Sequence, residues 1–303
     1  MTASNEKFKA YIFMHLSILL WGFTGVLGRA IQLNEALLVW YRLIIALLSM
    51  GLFIGFSAHR FEIARRDASR LIGVGVILVT HWVCFYGSIK YSNVSITLSM
   101  LASSSLFTAI MEPLVTRSRF KWMEILLSVI GMAGIWIIFQ FETRYVTGIL
   151  LGLAASFLGC FINIFNRPLV NKYPPVLVSF YEIGAGFILL TILLPVYLHF
   201  VPANKLFPTT TDWLLLTILA VACTHVTLVL SLAALRQLSA FTLNLSINLE
   251  PVYGIALAFF FYKENRELHP NFYIGGALIL LSVILHGLLA WRETRKNALG
   301  QLV

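Results

Sequence analysis

The chain has 303 residues, 59% of them hydrophobic and 12% charged, with a formal net charge of +9 and a mean hydropathy of +0.86. Apolar segments use up most of that length, so a polytopic membrane protein is expected and a soluble catalytic domain has nowhere to sit. The positive charge does not point to nucleic acid, because the basic residues lie in ones and twos between hydrophobic runs and are not gathered with stacking aromatics.

Taken in chain order, the hydrophobic runs predict an all-α fold of ten transmembrane helices: 11–31, 36–57, 71–90, 93–116, 121–140, 146–166, 175–198, 212–234, 238–262 and 270–291. The longest polar stretches, Ser57 to Arg70 and His199 to Asp212, read as loops. The first apolar run is not followed by a small-residue cleavage site, so it is expected to stay in the protein. Numbering the flanks alternately puts 15 basic residues on the side of the N-terminus and six on the other, with Arg42 left inside a span. By the positive-inside rule both termini are expected in the cytoplasm and the protein in the cytoplasmic membrane. Arg42 is expected to snorkel toward the outer interface or to pair with Glu35. Trp136, Trp213 and Trp291 read as interface-belt residues.

Five spans followed by five of opposite orientation make two inverted repeats, 11–140 and 146–291. In span 1, Ser17, Trp21, Thr24 and Gly28 have the spacing of Ser156, Cys160, Asn163 and Arg167 in span 6, at an offset of 139. Tyr41-Arg42 answers to Tyr181-Glu182 at an offset of 140, while Thr80-His81 answers to Thr224-His225, and Gly131 to Gly275, at 144. Gly51-x-x-x-Gly55 and Gly148-x-x-x-Gly152 are expected to let helices approach closely.

Spans 4 and 9 are too polar to face lipid. Ser92, Ser95, Ser99 and Ser103 form one stripe of span 4, and Thr97, Ser104, Thr108 and Glu112 another. In span 9, Ser239, Thr242, Ser246, Glu250 and Tyr253 fall on one side and Asn244, Asn248 and Pro251 roughly opposite. An ionisable group at mid-depth costs ~2.5–3.5 kcal/mol on insertion scales, so both spans belong at the centre of the bundle. Pro251 is expected to kink span 9 by freeing the carbonyl of Ile247.

Ten spans in two inverted halves of about 140 residues resemble the EamA family of the drug/metabolite transporter superfamily. The likeness is carried by Leu19-Leu20-Trp21-Gly22, by Trp40-Tyr41-Arg42-Leu43, and by Glu250-Pro251-Val252 through Lys263-Glu264, and it covers essentially the whole chain. The glutamate that the family often places after span 4 is missing near Arg117-Ser118-Arg119, while Glu264 keeps it after span 9. The resemblance implies a carrier of small metabolites, commonly an exporter of amino acids or related compounds.

Inverted repeats put the substrate at mid-membrane, where the halves meet. His81 and His225, near the midplane in equivalent spans, are the expected polar ligands, joined by Glu250, Asn163, Ser99, Ser103, Asn244 and Asn248. Trp21 and Tyr86, with Trp82 and Phe107, offer flat walls. Glu250 is expected to couple to the transport cycle through its protonation state, and the two histidines to make flux vary between about pH 5 and 8. Arg42 and Glu182, in opposite halves, are not expected to meet.

No enzyme is expected: His15, His81, His225 and His286 lie on different spans without a paired carboxylate. Cys84, Cys160 and Cys223 show no metal or disulfide spacing and read as small core residues. Neither a metal nor a cofactor is expected, and the chain lacks the Gly-rich phosphate loop with Lys-Ser/Thr of an ATP-driven pump. A receptor or assembly subunit would need a partner-binding domain or tail, for which the loops leave no room. The expected partners are a small-molecule substrate, the lipid bilayer and protons. The expected function is secondary transport of a small polar metabolite by alternating access, in the direction of export, with proton-coupled uptake as the alternative.

Overall fold

The computed structural model describes residues 3–56, 62–120, 122–141, 143–238, 240–247, 249–266 and 268–300. The described residues are helices and short connections, without a strand. This is the form that lipid imposes, because a helix satisfies its own backbone N–H and C=O groups. The helices are α1 (Ala3–Ala30), α2 (Glu35–Gly55), α3 (Arg65–Tyr91), α4 (Val94–Leu101), α5 (Ser104–Thr116), α6 (Trp122–Phe141) and α7 (Val146–Val170). They continue with α8 (Pro175–Phe200), α9 (Thr210–Ala220), a π-helical turn (Val221–Val226), α10 (Thr227–Leu235), α11 (Ala240–Ile247), α12 (Glu250–Tyr262) and α13 (Pro270–Gly300).

Seven helical stretches are long and apolar enough to cross a membrane: Asn5–Ala30, Glu35–Gly55, Arg65–Tyr91, Val94–Thr116, Val146–Val170, Pro175–Phe200 and Thr210–Leu235. Tyr253–Tyr262 and Pro270–Ser282 are shorter apolar helices. The protein is a multi-pass membrane protein. Its helices start where the sequence supplies donors with partners: Asn34 accepts from the Leu37 amide at 2.9 Å, and Asn93 from the Ile96 amide at 2.8 Å. Thr209 and Asp212 close a capping box at the start of α9. α1 begins at Ala3 and α3 at Arg65, earlier than the apolar runs suggest, because their polar first turns continue the helix into the interface.

The continuous helices expected over 93–116, 212–234 and 238–262 are each interrupted. One break falls between Leu101 and Ser104, another between Ile247 and Glu250, and the corresponding residues lie 146 positions apart. The half-helices α5 and α12 also end alike, on Arg117 and Lys263 in the left-handed conformation, with φ of 54° and 55°. Pro251 sits in the first turn of α12, where no helical N–H is needed, so it opens a new helix and does not kink an old one. Broken backbone at membrane depth survives only inside protein or beside a cavity. Accordingly, the Val94–Thr116 window is 78% buried, against 44–56% for the other long helices, and span 4 lies at the centre.

The main core joins α2, α3, α8 and α9. α1 packs on α12 where Gly22 meets Tyr253 and Gly254; a Cβ on Gly22 would lie 2.9 Å from that of Tyr253. α6 and α13 pack together through Gly131, Gly134 and Gly275. Of the two expected small-residue pairs, Gly148 and Gly152 do meet α3 and α4, at Ser92, Ser88 and Met100, whereas Gly55 has nothing within 4 Å. Trp136 and Trp213 are exposed on the outside of the bundle, and the side chain of Trp291 lies outside the described residues.

Candidate functional site

A cavity of about 110 Å³ lies among α1, α2, α3, α7 and α10, and both helix breaks open onto it: Leu101 and Ser104 flank one, Ile247 and Glu250 the other. With about 30 Å³ for each water in the liquid, this is room for a small solute.

Its two charged residues come from different helices, α2 and α12. Arg42 is 2% exposed, so it neither snorkels to the interface nor pairs with Glu35, whose carboxylate instead accepts from the Tyr197 hydroxyl. The reason is the π turn. One wide turn leaves carbonyls without their α-helical partners and moves side chains around the helix, and Arg42 uses what it offers. Nε donates to Thr224 Oγ1 at 2.6 Å and Nη2 to the Cys223 carbonyl at 3.3 Å, while Nη1 donates to the Tyr86 hydroxyl at 2.8 Å. The guanidinium lies 3.8 Å above the Trp82 ring, a cation–π contact that is strong when desolvated. Its remaining N–H donors are left for the cavity that Arg42 lines. Glu250, 5% exposed, lines the same cavity at the first residue of α12 and interacts electrostatically with Arg42.

The starts of α5 and α12 add their free backbone N–H groups and the positive ends of their dipoles. Ser104 Oγ, without a hydrogen-bond partner, and the amide of Asn166, with none besides Glu182, line the cavity or lie against it. Such a site can hold an anionic group near Arg42 and a cationic group near Glu250, with Trp21, Trp82 and Phe85 as apolar walls.

Of the residues expected from sequence, Trp21, His81, Asn163 and Glu250 line this cavity. His81 Nδ1 is 2.7 Å from the Ala155 carbonyl, so that nitrogen carries the proton and donates. Tyr86 stands behind Arg42 as its hydrogen-bond acceptor. Ser103 Oγ donates to the Met100 carbonyl at 2.6 Å and lies 2.9 Å from Ser156 Oγ, packed beside the break and not in the cavity lining. Ser99 is buried in α4. His225 faces the other way, 3.0 Å from Ser49 Oγ and edge-on to Phe53. The π turn again explains this. In α3 Thr80 is exposed and His81 turns in, whereas in the π turn Thr224 turns in and His225 turns out. Asn248, and the side chain of Asn244, lie outside the described residues. Arg42, Ser104 and Asn166 are among the lining residues not expected in the site from sequence. A mid-span arginine was the signal for the first and the polar stripe of span 4 for the second, while Asn166 carried none.

One end of the bundle is tied shut. Glu264, fully buried, follows the left-handed turn at Lys263 and pairs with Arg29 at the end of α1. It also accepts from the Val94 amide at 3.2 Å, the Ser95 amide at 2.9 Å and Ser95 Oγ at 2.5 Å, capping α4. Lys90 donates to the Ile31 carbonyl at 2.6 Å and Tyr262 to the Val26 carbonyl at 2.8 Å. Some 30 Å away along α3, Arg70 borders instead a cleft of about 650 Å³ between α3, α5 and α7, where Arg167 and Glu112 approach to 4.0 Å.

The profile of the EamA-like transporter family matches residues 8–140 and, a second time, 146–288. An uncharacterized transporter of Bacillus subtilis (strain 168), YxxF, is 22% identical over 278 residues, covering 89% of this chain and 87% of that one. A protein of known crystal structure overlays with a TM-score of 0.65 at 17% identity, covering 93% of this chain and 98% of that one, which speaks for the fold alone. A helical chain whose broken helices meet at a cavity lined by Arg42 and Glu250, matched twice by the family profile, over 8–140 and 146–288, this protein belongs to the EamA-like transporter family.

Proposed function

We propose that the protein is a secondary transporter that moves a small zwitterionic metabolite, an amino acid or a close relative, across the cytoplasmic membrane by alternating access, with export as its direction. The observation that carries this reading is the pair Arg42 and Glu250 lining one small cavity between two half-helix starts. Discontinuous helices at the midplane of secondary transporters put positive N-termini against anionic substrate groups. Arg42 and the start of α5 suit a carboxylate; Glu250 suits an ammonium group. The aromatic walls suit a short apolar side chain.

Alternating access then runs on two inverted units of five spans, 11–140 and 146–291. The two profile matches, the breaks 146 residues apart and the paired left-handed caps support that arrangement. The charge bias supports cytoplasmic termini. In that orientation the end tied by Glu264 is the outer one and the Arg70–Arg167 cleft faces the cytoplasm, so the conformation is closed to the outside. Movement is driven without nucleotide. The purified protein in liposomes, loaded with unlabelled amino acids and given labelled ones outside, is expected to exchange them in the absence of ATP. Exchange that requires added ATP would refute the reading.

A further inference from the structure

Behind the cavity lies a polar pair that the proposed binding of substrate does not use. Glu182 on α8 is completely buried, and its carboxyl group meets no hydrogen-bonding group other than the Asn166 amide beside it. The Asn166 amide is fully buried too, has no partner besides Glu182, and borders the cavity. α3 and α8 meet here almost backbone to backbone: a Cβ on Gly75 would run into the Glu182 carbonyl, and one on Gly186 would lie 2.6 Å from Val79 Cγ2.

The charged and titratable groups on the packed helices are engaged elsewhere or, like Arg65 and Arg66 in the first turn of α3, exposed at the end of the helix. On α2, Arg42 is held by Thr224 and Tyr86, and Glu35 by Tyr197. On α3, Asp67 is bound by Tyr173 and Lys172, Arg70 by Asp67, His81 by the Ala155 carbonyl and Lys90 by the Ile31 carbonyl. On α7, Arg167 faces Glu112, and α10 carries no charge. A buried carboxylate that meets no cation is not sustained in such a place; a carboxylic acid is.

We propose that Glu182, reached from the cavity through Asn166, is a proton-binding site that couples proton movement to substrate movement. In the conformation described, the carboxyl is sealed and holds its proton. When the α3–α7–α8 side opens and water enters past Asn166, the O–H bond breaks and the proton passes to water on the side to which the cavity is then open; the carboxylate takes a proton back from water on the other side once the cavity has opened there. No other reactant is required. The coupling to substrate rests on the transport reading above; the proton site itself does not.

Two readouts separate these. The first is the infrared difference spectrum at neutral pH between wild type and Glu182→Gln, in which the wild type is expected to show the C=O stretch of a protonated carboxylic acid that the variant lacks. If that band is absent, the proposal is overturned whatever the protein transports. The second uses liposomes that hold a pH-sensitive dye and no amino acid, given labelled amino acid outside so that net flux is followed, with the number of protons moved per labelled amino acid as the quantity read. It is expected to fall about tenfold or more in Glu182→Gln, and also in Asn166→Val, which keeps the infrared band but blocks the path. Unchanged coupling in Glu182→Gln overturns the proposal. If no amino acid moves in wild type, the substrate reading fails, and the infrared band alone decides whether Glu182 holds a proton.

Discussion

Replacing Arg42 by Gln is expected to cut amino-acid exchange by about a hundredfold, the equivalent of about 3 kcal/mol lost where one partner of a buried charged pair is removed. Two losses combine. Glu250 is left as an uncompensated charge beside the cavity, and the substrate carboxylate loses its anchor. Arg42→Lys is the sharper variant, because it keeps the charge. An ammonium cannot reach Thr224 Oγ1, the Cys223 carbonyl and the Tyr86 hydroxyl together, nor stack flat on Trp82, so its exchange rate should still fall about tenfold or more. The measurement is the initial rate of labelled amino-acid exchange per amount of monodisperse protein in liposomes. Wild-type rates in the Lys variant would show that the fork is not needed, and wild-type rates in the Gln variant would remove Arg42 from the site.

The second large effect belongs to Glu264. Glu264→Ala strips one buried carboxylate from Arg29, both backbone amides and Ser95 Oγ. Buried donors left without an acceptor cost about 1–3 kcal/mol each, enough together to shift a two-state equilibrium about a hundredfold. The closed end should therefore open more often. Thr24 lines the cavity, so Thr24→Cys reports on this directly. In intact cells an impermeant thiol reagent is expected to label Thr24→Cys about tenfold faster when Glu264→Ala is present, in line with that shift. No acceleration would show that Glu264 does not hold the closure. Acceleration confined to inside-out vesicles would place the tied end in the cytoplasm and reverse the proposed orientation.

Much of this was legible in the sequence because membrane depth penalises polarity so heavily. Glu250 stood out as an ionisable residue that lipid would not accept, His81 as a mid-span residue and Asn163 by its place in the repeat, and all three line the cavity. The family resemblance, carried by short motifs at both ends of the chain, is matched by the profile over both halves. What could not be read was local geometry. The break between Leu101 and Ser104 has neither Gly nor Pro to announce it, and Pro251 gave the second break away only as a kink. The π turn costs the sequence one inconspicuous residue, yet it turns Thr224 inward, sends His225 to Ser49 and gives Arg42 its acceptors. A pattern read at a fixed 100° per residue carries on through such a turn and assigns the wrong face beyond it. Arg42 was misplaced for a related reason. A charged residue one or two turns from a helix end normally snorkels, and only the packing of α2 against the π turn holds this one inside.

The central claim is that Arg42 and Glu250 hold the two charges of one small zwitterion, and the most direct measurement varies the substrate and leaves the protein alone. Among the standard amino acids, the one that exchanges fastest in liposomes is compared with its amide, which keeps the amine and loses the carboxylate, and with its deaminated acid, which keeps the carboxylate and loses the amine. Each missing charge leaves one buried partner unpaired, so both analogues are expected to exchange about a hundredfold more slowly than the parent. If either analogue exchanges as fast as the amino acid, the charge that it lacks is not read by the cavity, and the account of the site is contradicted.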